Sequence, residues 1–189
     1  ADPGIIEGLK NANFNVLSVA NNHIMEHEEF MFQNTIRLLK SNNIHPVGIS
    51  NSIEIMSYKE YKIAFMAYSF IDDNISKPCY NKIHSEESIL QDIKKIRSLV
   101  DLVIISIHWG SEYVPYPSPE QVRIGRTIVD AGADIILGGH PHVTQGFEMY
   151  KNKPIIYSLG NFIFDHTYIP RTNKSFIAEI SVNDSPVQM

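Results

Sequence analysis

Two histidines separated by a single proline, His140-Pro141-His142, follow directly on the run Ile135-Ile136-Leu137-Gly138-Gly139. An apolar run of β type that stops at two glycines predicts a strand followed by a turn. Imidazole is the commonest protein ligand for zinc and related divalent ions, and the proline stiffens the turn so that both rings can be aimed in advance. The segment therefore predicts a metal-binding turn. Taken alone, a histidine pair that only caps or lines a turn is the commoner case.

Two further segments repeat this arrangement. Asn21-Asn22-His23 follows the strand-like run of residues 16–20, and His108-Trp109-Gly110 follows the apolar run of residues 102–107. Ligands in open α/β sheets collect at the carboxyl ends of strands, so three such ends predict one shared crevice. Taken alone, Asn22 is compatible with a helix cap or a turn residue, His23 with a hydrogen-bond donor in a turn, and His108 with a histidine of the core. Their recurrence favours a common metal site.

Four motifs in this order resemble the bacterial capsule-synthesis family of CapA type. They are Asn21-Asn22-His23, His108-Trp109-Gly110-Ser111-Glu112-Tyr113, Gly138-Gly139-His140-Pro141-His142 and Tyr157-Ser158-Leu159-Gly160-Asn161-Phe162. That family is associated with capsule and poly-γ-glutamate production and belongs to the calcineurin-like metallophosphoesterase superfamily. The resemblance covers about Asp2 to Asp165. It implies a single metallophosphoesterase-like domain over residues 1–189, an α/β sandwich with mixed sheets flanked by helices.

The resemblance also implies one or two divalent metal ions, either Mn, Zn or Fe. Asn22, His108 and His140 would bind one ion and His142 the other, while His23 would protonate the leaving oxygen. Two cations about 3.5 to 4 Å apart can hold a phosphate and lower the pKa of water between them. A positioned imidazole contributes roughly 10²- to 10⁴-fold as a general acid.

The sequence departs from the family at two places. The family's Gly-Asp strand end and Asn-Leu-Glu motif, whose carboxylates bind the first metal and bridge the pair, do not occur here. The chain is therefore expected to be a segment that lacks the family's N-terminal part, and a single-metal site of Asn22, His108 and His140 plus water is the alternative. After His23, the stretch Glu26-His27-Glu28-Glu29 replaces the family's Asp and Gly. We expect Glu26 to orient His23 and the later acids to begin a helix.

Other residues near these motifs are assigned to substrate contact or to support of the site, namely Glu26, Trp109, Glu112, Tyr113 and Asn161. Glu112, Tyr113, Tyr116 and the prolines at 115, 117 and 119 either shape a substrate mouth or simply lead into the next helix. Asn161 and Asp165 are predicted to support the histidines or touch substrate. The apolar residues between them, 162–164, are predicted to be core.

Composition limits the classes of function. The chain has 189 residues, 43% of them hydrophobic and 20% charged, which predicts one folded domain. Its net charge of −5 argues against nucleic acid as the main partner. The anionic polymer or phosphoester substrate that the resemblance implies would then require local positive charge, which bound metal would supply. Cys79 is the single cysteine, which excludes an internal disulfide. No run is long enough to cross a bilayer, so membrane association would require upstream sequence. Oligomeric state is open, as is a cytoplasmic or cell-envelope location in a bacterium.

Hydrophobic periodicity predicts alternating helices and strands. The predicted helices cover residues 4–11, 28–40, 86–99 and 119–131, the last with Ser118 as N-cap. The predicted strands cover residues 15–20, 45–48, 53–58, 62–68, 102–107, 133–137, 145–150, 154–158 and 176–182, with hairpin turns at Lys59-Glu60 and Lys151-Asn152-Lys153. Residues 72–85 are either a lid or an ordinary connection.

Three functions are compatible with these features. The first is a metal-dependent hydrolase of phosphoesterase type in capsule, poly-γ-glutamate or cell-envelope polymer biosynthesis. The second is a non-enzymatic assembly or export component that keeps the fold and binds an anionic polymer. A weaker third is hydrolysis of polyglutamate amide bonds by the same metal site.

Overall fold

The structure is a computed structural model, and it describes residues 3–164 and 168–181. Helices and strands alternate along most of the chain. The helices are α1 Ile5–Asn11, α2 Glu28–Ser41, α3 Glu87–Ile96, which a 3-10 turn Arg97–Leu99 extends, and α4 Pro119–Asp130. The strands are β1 Val16–Ser18, β2 His45–Val47, β3 Glu54–Tyr58, β4 Tyr61–Ser69, β5 Leu102–His108, β6 Ile135–Gly139, β7 Thr144–Tyr150 and β8 Lys153–Leu159.

The strands form two sheets. The larger has the order β3-β4-β5-β6-β8-β7, and β1 and β2 form a separate parallel pair. In the larger sheet β4, β5, β6 and β8 are parallel, while β3 and β7 pair antiparallel at its edges. Parallel central strands with antiparallel edges make a mixed sheet. The predicted α/β fold with mixed sheets flanked by helices is confirmed.

Apolar side chains on the two faces of the large sheet enter different cores. Met66 of β4 packs with α3 and α4, whereas its neighbour Ala67 packs with α1 and α2. This follows from the alternation of side chains along a strand. Each helix contributes residues at helical spacing, with Ile89, Ile93 and Ile96 buried on α3. Fully burying one such side chain contributes about 1.5 to 3 kcal/mol.

The predicted caps and turns are confirmed. Ser118 Oγ accepts from Gln121 N, and the Gln121 side chain accepts from Ser118 N, which makes a capping box at the start of α4. The hairpin of β7 and β8 turns through Lys151 and Asn152, with φ of 50° and 60°. Two consecutive positive φ angles are typical of the type I′ turn, whose twist matches the flanking strands.

Two sequence predictions are wrong. Residues 176–180 form no strand, and Phe176 N donates to Leu159 O next to the isolated bridge between Ser175 and Gly160. Val182 lies outside the described residues. A β-type sequence becomes a strand only where a partner edge accepts its hydrogen bonds. Residues 162–164 are not core, because Phe162 is 60% and Ile163 83% exposed.

The irregular segment 72–85 is an anchored connection. Asn81 N donates to Gly48 O at 2.8 Å, and Asn81 Nδ2 donates to Ala67 O at 3.1 Å. Asn81 thereby ties the ends of β2 and β4 together. Among the described residues, the helices are too short or too polar to span a bilayer.

Candidate metal centre

The predicted metal ligands meet at the carboxyl ends of neighbouring strands. His108 is the last residue of β5 and lies opposite Gly139 of β6, so the turn that begins with His140 starts beside it. The ring centroids of His108 and His140 are 4.7 Å apart. Asn22 reaches the same place from the turn after β1, with its Oδ1 2.9 Å from His108 Nε2. The crevice expected from the sequence therefore contains Asn22, His108 and His140.

The histidine turn, residues 140–142, has an unusual backbone. His140 and His142 have φ of 97° and 60°, in the left-handed region that favours glycine. Such residues cost about 1 to 3 kcal/mol each and persist only where surrounding structure imposes them. Gly138 is required just before the turn, because a Cβ there would lie 2.0 Å from Tyr157 O. Backbone strain at two histidines is typical of a functional site.

Asn161 holds His142 in one orientation. Its Nδ2 donates to His142 O at 3.2 Å and to Thr172 O at 3.0 Å, which leaves Oδ1 facing His142 Nδ1 at 2.8 Å. An amide oxygen can only accept, so a neutral His142 ring carries its proton on Nδ1. Its Nε2 then keeps the lone pair that a metal ligand needs. This is the supporting role predicted for Asn161. Asp165 lies outside the described residues.

Aromatic rings flank the histidine turn. Tyr113 stacks on His142 with ring centroids 5.9 Å apart and an interplanar angle of 24°, and Phe164 lies 4.9 Å from the same ring. Tyr113 N also donates to Pro141 O at 2.8 Å. Tyr113 and Glu112 are exposed and belong to the segment predicted as a rim. These contacts place residues 110–118, the rim loop, at one wall of the site.

Burial keeps the central histidines neutral. It lowers the pKa of His108 to about 3, assisted by the charges of His140, His23 and His142. Burial also lowers the pKa of His140, and Glu112 opposes the shift. Both rings are therefore unprotonated at neutral pH, the form that donates a lone pair to a metal.

The residues fit a cation on two observations. Within the described part of the chain, His140 Nδ1 is buried without a hydrogen-bond partner, which costs about 1 to 3 kcal/mol unless another group pairs with it. The second is the proximity of Asn22 Oδ1 and His108 Nε2, which are hydrogen-bonded at 2.9 Å and can both give lone pairs to one ion when the ring proton of His108 is on Nδ1. Among the described residues, no three His, Cys, Asp or Glu side chains are grouped so that they could hold a metal ion by themselves. The donor set is two histidines with one amide, and the His142 ring lies 6.1 Å from that of His140.

His23 stands beside these donors with a carboxylate partner. Its Nδ1 lies 2.5 Å from Glu26 Oε1, and its Nε2 lies 3.4 Å from Asn22 Nδ2. The hydrogen bond to His23, followed by the charge of that ring, lowers the pKa of Glu26. A carboxylate on one ring nitrogen orients the imidazole and sets which nitrogen is protonated. Glu26 thus has the orienting contact predicted for it.

Trp109 lies behind the site instead of lining it. Its side chain is 2% exposed, stacks on Tyr157 and donates from Nε1 to Tyr157 O at 2.9 Å. It can support the strands but cannot touch substrate. Sequence reasoning missed Thr172, for which no sequence signal exists, and Gln145. It also missed Gln121, whose spacing from Ser118 was a signal for a cap.

Comparisons with known proteins show which family the sequence resembles. The sequence profile of the bacterial capsule synthesis protein family PGA_cap matches residues 1–166. The chain is 32% identical to the capsule biosynthesis protein CapA of Bacillus anthracis over 95% of this chain and 47% of that protein. It is 32% identical to the PGA biosynthesis protein CapA of Bacillus subtilis (strain 168) over 92% and 48%. The chain thus spans about half the length of the curated relatives it matches.

Solved structures share the fold at low sequence identity. A putative 5′-nucleotidase from Staphylococcus aureus matches with a TM-score of 0.62 and 15% identity, over 83% of this chain and 34% of that chain. A phosphatase from Mycoplasma pneumoniae matches with a TM-score of 0.56 and 16% identity, over 82% and 53%. These likenesses concern the fold. The match of the family profile over residues 1–166 and the 32% identity to the two CapA proteins establish that the chain belongs to the bacterial capsule synthesis protein family PGA_cap.

Proposed function

We propose that the chain carries the metal centre of a metal-dependent hydrolase of phosphoesterase type that acts in capsule, poly-γ-glutamate or cell-envelope polymer biosynthesis. One observation carries the proposal: His140 Nδ1 is buried and unpaired beside the Asn22–His108 donor pair. Relatives named for capsule and PGA biosynthesis, and fold neighbours named as a nucleotidase and a phosphatase, support the class of process and of bond.

Asn22, His108 and His140 would hold a first divalent cation, and His142 would serve a second. A bound Zn, Mn or Fe ion would polarise the phosphoryl oxygens and activate water for attack. The two buried histidines are neutral at physiological pH, so they need lose no proton to bind it. In a chain with a net charge of −5, the cation would also supply the attraction for an anionic substrate.

His23 is the proton donor in this proposal. Its ring is exposed, so it can reach a substrate that lies over the cluster. With Nδ1 held by Glu26, Nε2 is the nitrogen left to face the leaving oxygen, and it already lies against Asn22. In the doubly protonated ring Nδ1–H donates to Glu26 and Nε2 carries the second proton, whose transfer would let the leaving oxygen depart as a neutral hydroxyl and contribute roughly 10²- to 10⁴-fold to the rate.

The test is metal content, measured by elemental mass spectrometry on the wild type and on His140→Ala, with a generic aryl phosphodiester assay on the same samples. His45→Ala is the matched control, because His45 lies at the start of β2, away from the histidine turn, and its side chain is hydrogen-bonded to Glu54. We expect near-stoichiometric metal and turnover in the wild type and the control, and loss of both in His140→Ala. Metal-free wild type that is folded and inactive would contradict the proposal.

A second candidate is a non-enzymatic assembly or export component that binds an anionic polymer. It is favoured by the composition of the cluster, which within the described residues has two histidines and an amide but no carboxylate among its central donors. Stoichiometric metal without turnover, together with retention of polyglutamate that His140→Ala abolishes, would support this second role.

A further inference from the structure

A buried pair of glutamine side chains joins the rim loop to α4 and β7. Gln121 is 4% and Gln145 2% exposed, and Gln121 Nε2 donates to Gln145 Oε1 at 2.9 Å. Gln145 Nε2 donates to the carbonyl oxygens of Val114 at 2.9 Å and Tyr116 at 3.1 Å. Ser118 N donates to Gln121 Oε1 at 3.0 Å. Three backbone groups of the rim loop are therefore held by two amides.

Only one orientation satisfies these contacts. The two carbonyls can only accept, so they require the NH₂ group of Gln145, and its Oε1 is then left to accept from Gln121. Gln121 must likewise turn its Oε1 toward the Ser118 N–H. Because each amide nitrogen and each amide oxygen of the two side chains has a hydrogen-bond partner, the pair forms a polar network in a buried place, the kind that rigidifies its surroundings.

The start of the rim loop packs on the same amide. Gly110 has a φ of 84°, and a Cβ at this position would lie 2.8 Å from both Nε2 and Oε1 of Gln121. The loop therefore contacts the glutamine pair at Gly110 and again at Val114, Tyr116 and Ser118. Between these contacts lies Tyr113, whose ring stacks on His142 and whose N–H donates to Pro141 O.

We infer that Gln121 and Gln145 are positioning residues for the candidate metal centre, because they hold the rim loop so that Tyr113 stays stacked on the histidine turn. Neither glutamine touches the cluster itself. Their effect passes through the loop to the wall of the site where substrate would enter. The anchoring rests on hydrogen bonds alone, whereas its use in positioning substrate rests on the proposed function.

Hydrogen exchange in the metal-free chain tests the anchoring. In Gln145→Leu the two carbonyls and Gln121 lose their partner, and in Gln145→Glu the carboxylate accepts from Gln121 but cannot donate to the carbonyls. We expect the Tyr113 amide to exchange about tenfold faster in both variants, with the amides of β5 unchanged. The glutamate variant keeps size and polarity, so it decides the question if the leucine variant does not fold.

Asn42→Leu is the matched control, since Asn42 is a half-buried amide that donates to Leu38 O at the end of α2. It should leave the exchange of Tyr113 unchanged. Exchange at Tyr113 that stays near the wild-type rate in Gln145→Glu, or that rises equally throughout β5, would overturn the anchoring.

The phosphodiester assay tests the positioning. The donors of the cluster are untouched in Gln145→Glu, so KM should rise about tenfold while kcat and metal content stay near the wild-type values. Faster exchange at Tyr113 with an unchanged KM would overturn the positioning role. If the wild type neither binds metal nor turns over, the proposed function fails, and the exchange experiment still decides the anchoring separately.

Discussion

The two ends of strand β6 differ in whether a buried polar group has hydrogen-bond partners. At the amino end, Asp134 precedes β6 and is 6% exposed, and its carboxylate accepts from Val103 N at 2.8 Å, from Arg97 Nη1 at 2.6 Å and from Lys153 Nζ. At the carboxyl end, His140 follows β6 with a φ of 97° and a buried nitrogen that has no hydrogen-bond partner in the described chain.

The difference distinguishes a group that stabilises the fold from a candidate binding group. A buried charge with a full set of partners holds elements together and has no capacity left for a ligand. A strained residue with an unpaired atom lowers stability, and the fold retains it only because the surrounding strands impose it. One end of β6 thus contributes stability, while the other end offers a binding atom.

Removing the partnered carboxylate should have the largest effect of any single substitution. Asp134→Ala leaves Val103 N without this acceptor and leaves Arg97 and Lys153 without their carboxylate partner. The free energy of unfolding should therefore fall by about 3 kcal/mol. Urea unfolding measures it. Asp130→Ala, which breaks an exposed pair with Lys151, should change it by less than about 0.5 kcal/mol. Equal losses of unfolding free energy in the two variants would show that the buried carboxylate of Asp134 stabilises the fold no more than an exposed one.

Acidification should destabilise the chain through His108, at the carboxyl end of β5. The pKa of His108 is lowered from 6.5 to about 3, so between these pH values His108 is protonated in the unfolded chain and neutral in the folded chain. The contribution of the neutral His108 to stability is fully present above about pH 6.5 and is lost as the pH falls from there toward 3. The free energy of unfolding of the metal-free chain should fall by about 1 kcal/mol per pH unit in this range.

His108→Gln isolates this effect from the carboxylates that titrate in the same range. Urea unfolding of both proteins at several pH values between about 7 and 4 should give a shallower pH dependence for the variant. Parallel curves for the two proteins would show that His108 does not carry the effect.

The smallest predicted effect has the opposite sign. His140→Gly removes both the left-handed strain and the unpaired nitrogen, so the metal-free chain should gain about 1 kcal/mol of unfolding free energy while metal binding is lost. His45→Gly is the control, because His45 lies in β2, where glycine costs about 0.5 to 1 kcal/mol. A loss of stability in His140→Gly would mean that the ring contributes packing that outweighs its strain.

Much of the site could be predicted because its signals are local. Asn22, His108 and His140 each follow an apolar strand, and parallel strands bring their carboxyl ends to one edge. The supports of the site could not be predicted in the same way. The contact of Asn161 with Thr172 and that of Gln121 with Gln145 join residues that are distant in the sequence, and an amide carries no sign of its partner.

By itself, the sequence determined most of the segments that become helices and strands, because the period of the apolar residues and the capping and turn residues act within a few positions. Tertiary structure alone decided which strand edges pair, which is why residues 176–180 stay irregular despite a β-type sequence. It also decided which polar atoms find partners. The Asp134 carboxylate is fully paired and the His140 nitrogen is not, because hydrogen bonds between distant residues depend on where the packed elements bring them.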